Sequence, residues 1–62
     1  MEIINKKGPI DQPYIAGLNG KQVGLYARSL LAAKQTAVNH FRPKKRDVNL
    51  LWVELAKEDH AV

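Results

Sequence analysis

The dipeptide Asn19-Gly20 stands between two alternating apolar runs, Tyr14-Ile15-Ala16-Gly17-Leu18 before it and Lys21-Gln22-Val23-Gly24-Leu25-Tyr26-Ala27 after it. Asn and Gly both tolerate the positive φ that a type I′ turn needs at its two central positions, and the twist of that turn suits a two-residue hairpin. The turn sets the register, placing Leu18 opposite Lys21, Ala16 opposite Val23 and Tyr14 opposite Leu25. Directly opposed residues share a face. One face therefore carries Tyr14, Ala16, Leu18, Val23, Leu25 and Ala27, and the other carries Ile15, Gly17, Gln22, Gly24 and Tyr26.

A helix follows at once. The Ser29 hydroxyl is suited to accept an unpaired amide proton at a helix start, and the Ala- and Leu-rich stretch from Leu30 to Arg42 contains no Gly or Pro. Pro43 ends it. At 100° per residue, Leu30, Ala33, Ala37, Val38 and Phe41 gather on one arc, with Leu31 at its margin and Lys34 inside it, its stem expected to snorkel. Leu50 to Ala56 reads as a last strand in which Leu51, Val53 and Leu55 alternate toward the same core, leaving Leu50, Trp52, Glu54 and Ala56 on the second face.

The expected fold is α+β: a small antiparallel or mixed sheet with one helix packed on one face, in the order ββαβ. The sheet has three strands, or four if Ile3-Ile4 adds one. Within a single small domain the segments are an N-terminal segment 1–13, a hairpin 14–27, a helix 29–42, a last strand 49–56 and a polar tail 57–62. Gly8-Pro9 and Pro13 mark the N-terminal segment as a loop.

One helix covers one face. Ile15, Tyr26 and Trp52 are then left for another occupant, and Gly17 and Gly24 lack side chains that would keep a backbone or planar group away. Three occupants suit such a face: the N-terminal segment folded back through Ile3, Ile4 or Ile10, a second copy of the chain, or a foreign partner gripped by aromatic anchors.

Composition narrows the chemistry. A domain of 62 residues buries only ~60% of its unfolded surface, and without cysteine it has neither disulfides nor a thiolate metal site. His40 and His60 are the two histidines, with no carboxylate pair at ligand spacing, so no metal or cofactor is expected. No Ser, His and carboxylate set converges, and the glycines belong to a hairpin, not to a phosphate loop that opens a helix. The expectation is a non-enzymatic protein. No apolar run approaches the ~20 residues that span a bilayer, and the acidic start does not resemble a signal peptide, so a cytoplasmic location without membrane contact is expected. Ten Lys or Arg against six Asp or Glu favour acidic partners. Four of those ten fall in Arg42-Pro43-Lys44-Lys45-Arg46, where they complement the helix dipole and could also meet phosphates or an acidic protein surface.

The runs Asn19-Gly20-Lys21, Tyr26-Ala27-Arg28-Ser29-Leu30, Ala32-Ala33-Lys34-Gln35, Phe41-Arg42-Pro43-Lys44-Lys45 and Val53-Glu54-Leu55-Ala56 resemble small uncharacterised proteins encoded by bacteriophages and mobile elements. The order of elements is also similar to that of small podophage inhibitors of bacterial RNA polymerase, with no shared motif to carry binding residues across. The phage resemblance implies expression in an infected bacterial cytoplasm and action by occupying the surface of a host or phage protein. On this reading Ile15, Gly17, Gly24, Tyr26 and Trp52 form the partner face, and Arg42, Lys44, Lys45 and Arg46 steer it to an acidic surface. The alternative is a nucleic-acid-binding module in which residues 42–46 hold phosphates while Tyr26 and Trp52 stack on bases. A homodimer through the Trp52 face is the third.

Overall fold

The computed structural model describes residues 2–56; the polar tail expected at 57–62 lies outside them. Its elements are β1 (Glu2–Ile3), β2 (Gln12–Leu18), β3 (Lys21–Ala27), α1 (Leu30–Phe41), a 3-10 helix (Lys45–Leu50) and β4 (Trp52–Leu55). The strands form one mixed sheet in the order β1-β3-β2-β4, with β1 parallel to β3 and the other pairs antiparallel. This is an α+β fold in which the fourth strand comes from the N-terminus.

The turn follows from its two residues. Asn19 has φ 53° and Gly20 φ 82°, and the register pairs Leu18 with Lys21, Ala16 with Val23 and Tyr14 with Leu25. Strand β2 begins two residues before the expected hairpin and includes Pro13. The proline is tolerated there because Tyr26, its partner across the pair, turns its backbone polar groups to Asn5: its N–H donates to Asn5 Oδ1 at 2.7 Å and its carbonyl accepts from Asn5 Nδ2 at 2.8 Å. The Pro13–Tyr26 pair is therefore not hydrogen-bonded, and the missing amide proton takes nothing from β3.

Helix α1 starts where Ser29 Oγ accepts from the Ala32 amide at 3.1 Å. It ends at Arg42, whose N–H makes the last i→i−4 bond, to the Val38 carbonyl at 2.8 Å, and whose left-handed backbone (φ 48°) then turns the chain out of the helix. The helix lies across β3, β2 and β4. Tyr14, Ala16, Leu18, Val23, Leu25, Ala27, Ala33, Ala37 and Leu51 form the buried core, with Ile4, Ala32, Val38, Phe41 and Val53 packed against it. Small Ala33 and Ala37, both fully buried, bring the helix axis close to the sheet.

Several expectations change at the margins. Leu30 belongs to the arc by angle but is 54% exposed, because it opens the first turn, at the end where the chain leaves β3. Leu31 and Lys34 are exposed as well. Leu55 points to the helix side, opposite Tyr14, yet stays exposed as the last residue of an edge strand. The last strand is shorter than 49–56, since the 3-10 helix runs through Leu50 and removes that residue from the second face. No helix among the described residues is long and apolar enough to cross a membrane.

Candidate docking face and cationic end

Strand alternation places Ile15 and Gly17 from β2, Gln22, Gly24 and Tyr26 from β3, and Trp52 and Glu54 from β4 on the side away from α1. The N-terminal segment does not fold back over this side. Ile3 and Ile4 are split by the alternation of β1: Ile4 turns to the core, and Ile3, paired with Gly24, joins the second face at 52% exposure. Ile10 lies in the loop at 64% exposure. Strand addition wins over folding back because it satisfies backbone groups: the Ile4 amide donates to the Gly24 carbonyl at 2.9 Å, and Asn5 continues the ladder with its side-chain amide.

The face has a definite layout. One row across the sheet reads Ile3, Gly24, Ile15, Glu54, and the next toward the turn reads Gln22, Gly17, Trp52. Trp52 lies against Gly17. A Cβ built on that glycine would stand 2.4 Å from indole atoms Cε2 and Cζ2. The close approach that Gly17 permits is thus taken by the protein's own tryptophan, which remains 40% exposed. Gly17 serves to seat Trp52, not to receive a partner's backbone.

Tyr26 is not beside Trp52. It pairs with Pro13, four positions along β2 from Gly17, and the two aromatic residues flank β2 on opposite sides. Strand rise and spacing separate them by ~13 Å along the sheet and ~10 Å across it. Half-buried Ile15 sits midway. The structure therefore gives a diagonal, Tyr26–Ile15–Trp52, bordered by Ile3 and by polar Gln22 and Glu54.

Topology decides where the charge goes. Strand β3 runs away from the turn, α1 carries the chain back, and β4 begins beside Gly17, next to the turn. The connection holding Arg42, Lys44, Lys45 and Arg46 consequently lies at the turn end of the molecule, with Lys21 of the hairpin and with Trp52. All five cationic residues are exposed. His40, in the last turn of α1, adds to this end and meets Phe41 edge to face at 5.2 Å. An open hollow of about 510 Å³ lies there, lined by Glu2, Lys21, Gln22, Val23, His40 and Phe41. The four basic residues of the connector and Trp52 are thus brought to one end, whereas Tyr26 is not.

Asn5 is a structural anchor that sequence reasoning missed, and nothing in a lone Asn after two isoleucines signals it. Among the described residues no group of three or more His, Asp or Glu side chains is placed to hold a metal ion. The arrangement offers binding chemistry: aromatic and aliphatic surface on one face, exposed positive charge at one end. Comparison with protein-family models, with curated proteins and with solved structures found no match for this chain.

Proposed function

We propose that this chain is a non-enzymatic binding protein of phage type that docks on a host or phage protein through the open face of its sheet and so modulates that protein. The observation that supports the reading is that no described element covers this face, while it keeps Trp52 at 40% exposure and Ile3 at 52%. A small domain gains from burying every large apolar residue it has, so apolar area left on one contiguous face marks an interaction site. Trp52 acts as the anchor, rigid because it rests on Gly17, with Ile15 at the centre and Tyr26 at the far corner. Aromatic residues contribute disproportionately at such interfaces.

Charge favours an acidic partner. The described residues hold nine of the ten Lys and Arg but only four of the six Asp and Glu. Two of those four, Asp11 and Asp47, are half-buried, and Asp11 accepts the Gly8 amide at 2.8 Å. The chain as a whole carries a formal net charge of +4, which speeds encounter with an acidic protein. The site of action is the cytoplasm of an infected bacterium.

The test is affinity capture from nuclease-treated bacterial lysate with wild type, Trp52→Ala and Ile15→Gln, followed by rebuilding the complex from purified proteins. One acidic protein bound by wild type and weakened at least tenfold by both variants, with circular dichroism unchanged, supports the reading. Equal capture by all three places the interface elsewhere. A concentration-dependent mass with no foreign protein bound replaces it with self-association.

A further inference from the structure

We infer that the turn end of the molecule is a second binding site, for single-stranded nucleic acid, in which the cationic cluster holds phosphates and Trp52 stacks on a base. This goes beyond docking on a protein and stands on a different observation: the convergence of charge and the chain's one tryptophan at the same end of the fold.

The cluster draws on separate parts of the sequence. Arg42 comes from the helix cap and Lys44, Lys45 and Arg46 from the connection into β4, while Lys21 of the hairpin stands at the same end on the helix side of the sheet. Lys44 and Lys45 open the 3-10 helix, which fixes their backbone: the Lys44 carbonyl accepts from the amides of Asp47 at 2.7 Å and Val48 at 3.1 Å. Arg42 is fixed too, by its amide bond to the Val38 carbonyl. Long cationic side chains thus project from an ordered backbone at one end, where the acidic groups among the described residues are Glu2, on the rim of the hollow, and half-buried Asp47, with Glu54 one step further along β4 from Trp52. Phosphates along a chain suit several exposed cations at one end, whereas a free anion would need a closed pocket that the exposure of these residues does not supply.

Trp52 selects the single strand. One side of its indole rests on Gly17, and the exposed remainder faces solvent at the start of β4, just after the cationic connection. A flat ring supported from below and open above is a stacking platform for an unpaired base, which a duplex does not offer. The seat on Gly17 supplies the rigidity.

The chain has one tryptophan, so its emission reports the contact directly. Titrating the full chain with an oligothymidylate longer than ~16 nucleotides, the upper end of common single-module sites, should quench that emission. Affinity should fall with salt at a log–log slope of about −0.7 per phosphate neutralised. The triple variant Lys44→Glu, Lys45→Glu, Arg46→Glu should lose at least tenfold in affinity. Trp52→Ala, followed by anisotropy of a labelled oligonucleotide, should lose roughly 5- to 100-fold, and Trp52→Phe should recover part of it. Ile15→Gln, which weakens the proposed protein contact, should leave oligonucleotide affinity within twofold, so the two readings fail separately. Absence of binding at low salt overturns the inference. Equal affinity for duplex with unchanged emission overturns the stacking role, and wild-type affinity in the triple variant overturns the location.

Discussion

The two faces of the sheet are cut from the same two strands by simple alternation, and they are used in opposite ways. Toward the helix, β2 and β3 present Tyr14, Ala16, Leu18, Val23, Leu25 and Ala27, all buried. Away from it they present Ile15, Gly17, Gln22, Gly24 and Tyr26, where glycines replace bulk and the largest ring, Trp52, comes from the neighbouring edge strand. The helix side is filled by complementary volume, large sheet residues against Ala33 and Ala37. The open side carries Trp52 seated on Gly17, with Tyr26 at the opposite corner. With no second α-helix among the described residues, the core lies on one face, which frees the other to be shaped for contact.

That contrast breaks most visibly at Leu25. It is 1% exposed, and Leu25→Ala should cost ~2–5 kcal/mol, enough to unfold much of so small a domain in a urea titration. Ile15→Ala, one position diagonal to it but on the open side, should cost less than half as much. Comparable losses at the two sites would mean that the open face is packed in solution.

Glycine substitutions sharpen the comparison at an intermediate level. Gly17→Ala puts a methyl group 2.4 Å from the indole, so Trp52 must leave its seat, with a red-shifted and more readily quenched emission. Gly20→Ala meets no atom within 4 Å, but holds φ at 82°, so it should cost ~1–2 kcal/mol through backbone strain alone. Its emission should not change. One glycine answers to space and the other to backbone geometry, and fluorescence separates them.

Smaller effects belong to the edges. Asn5→Ala removes both bonds to Tyr26 and should cost about 1 kcal/mol, with faster amide exchange confined to β1 and the end of β3. Arg42→Gly relieves a left-handed non-glycine cap and should stabilise the domain by up to ~1 kcal/mol. Because that variant also deletes one cation of the cluster, it should be more stable yet bind oligonucleotide more weakly.

Much of this was legible in the sequence because the Asn-Gly turn fixes a register, and a register assigns every side chain of β2 and β3 to a face. The cap at Ser29 and the stop before Pro43 were legible for the same reason: each is a local rule with a local cause. What was not legible depended on relations between distant segments. Ile3-Ile4 reads as two apolar residues, and only pairing with β3 reveals that one enters the core while the other does not. That β4 opens at Trp52 and not at Leu50 was hidden, because a continuous apolar run carries no sign that the 3-10 helix before it extends through its first residue. Grouping Tyr26 with Trp52 followed from a shared face, but a face is two-dimensional, and strand order set them at opposite corners. The seat of Trp52 on Gly17 also needed the β2–β4 register, which sequence alternation does not supply.

The central claim is that the Trp52 face is open in the free protein and closed by a partner. Acrylamide quenching of Trp52 emission tests it most directly, measured from micromolar to millimolar protein and again with the captured partner added. The account predicts strong quenching at every concentration of the free chain and a marked loss of quenching in the complex. Quenching that is weak throughout, that fades as the chain alone is concentrated, or that is unchanged by the partner would contradict it.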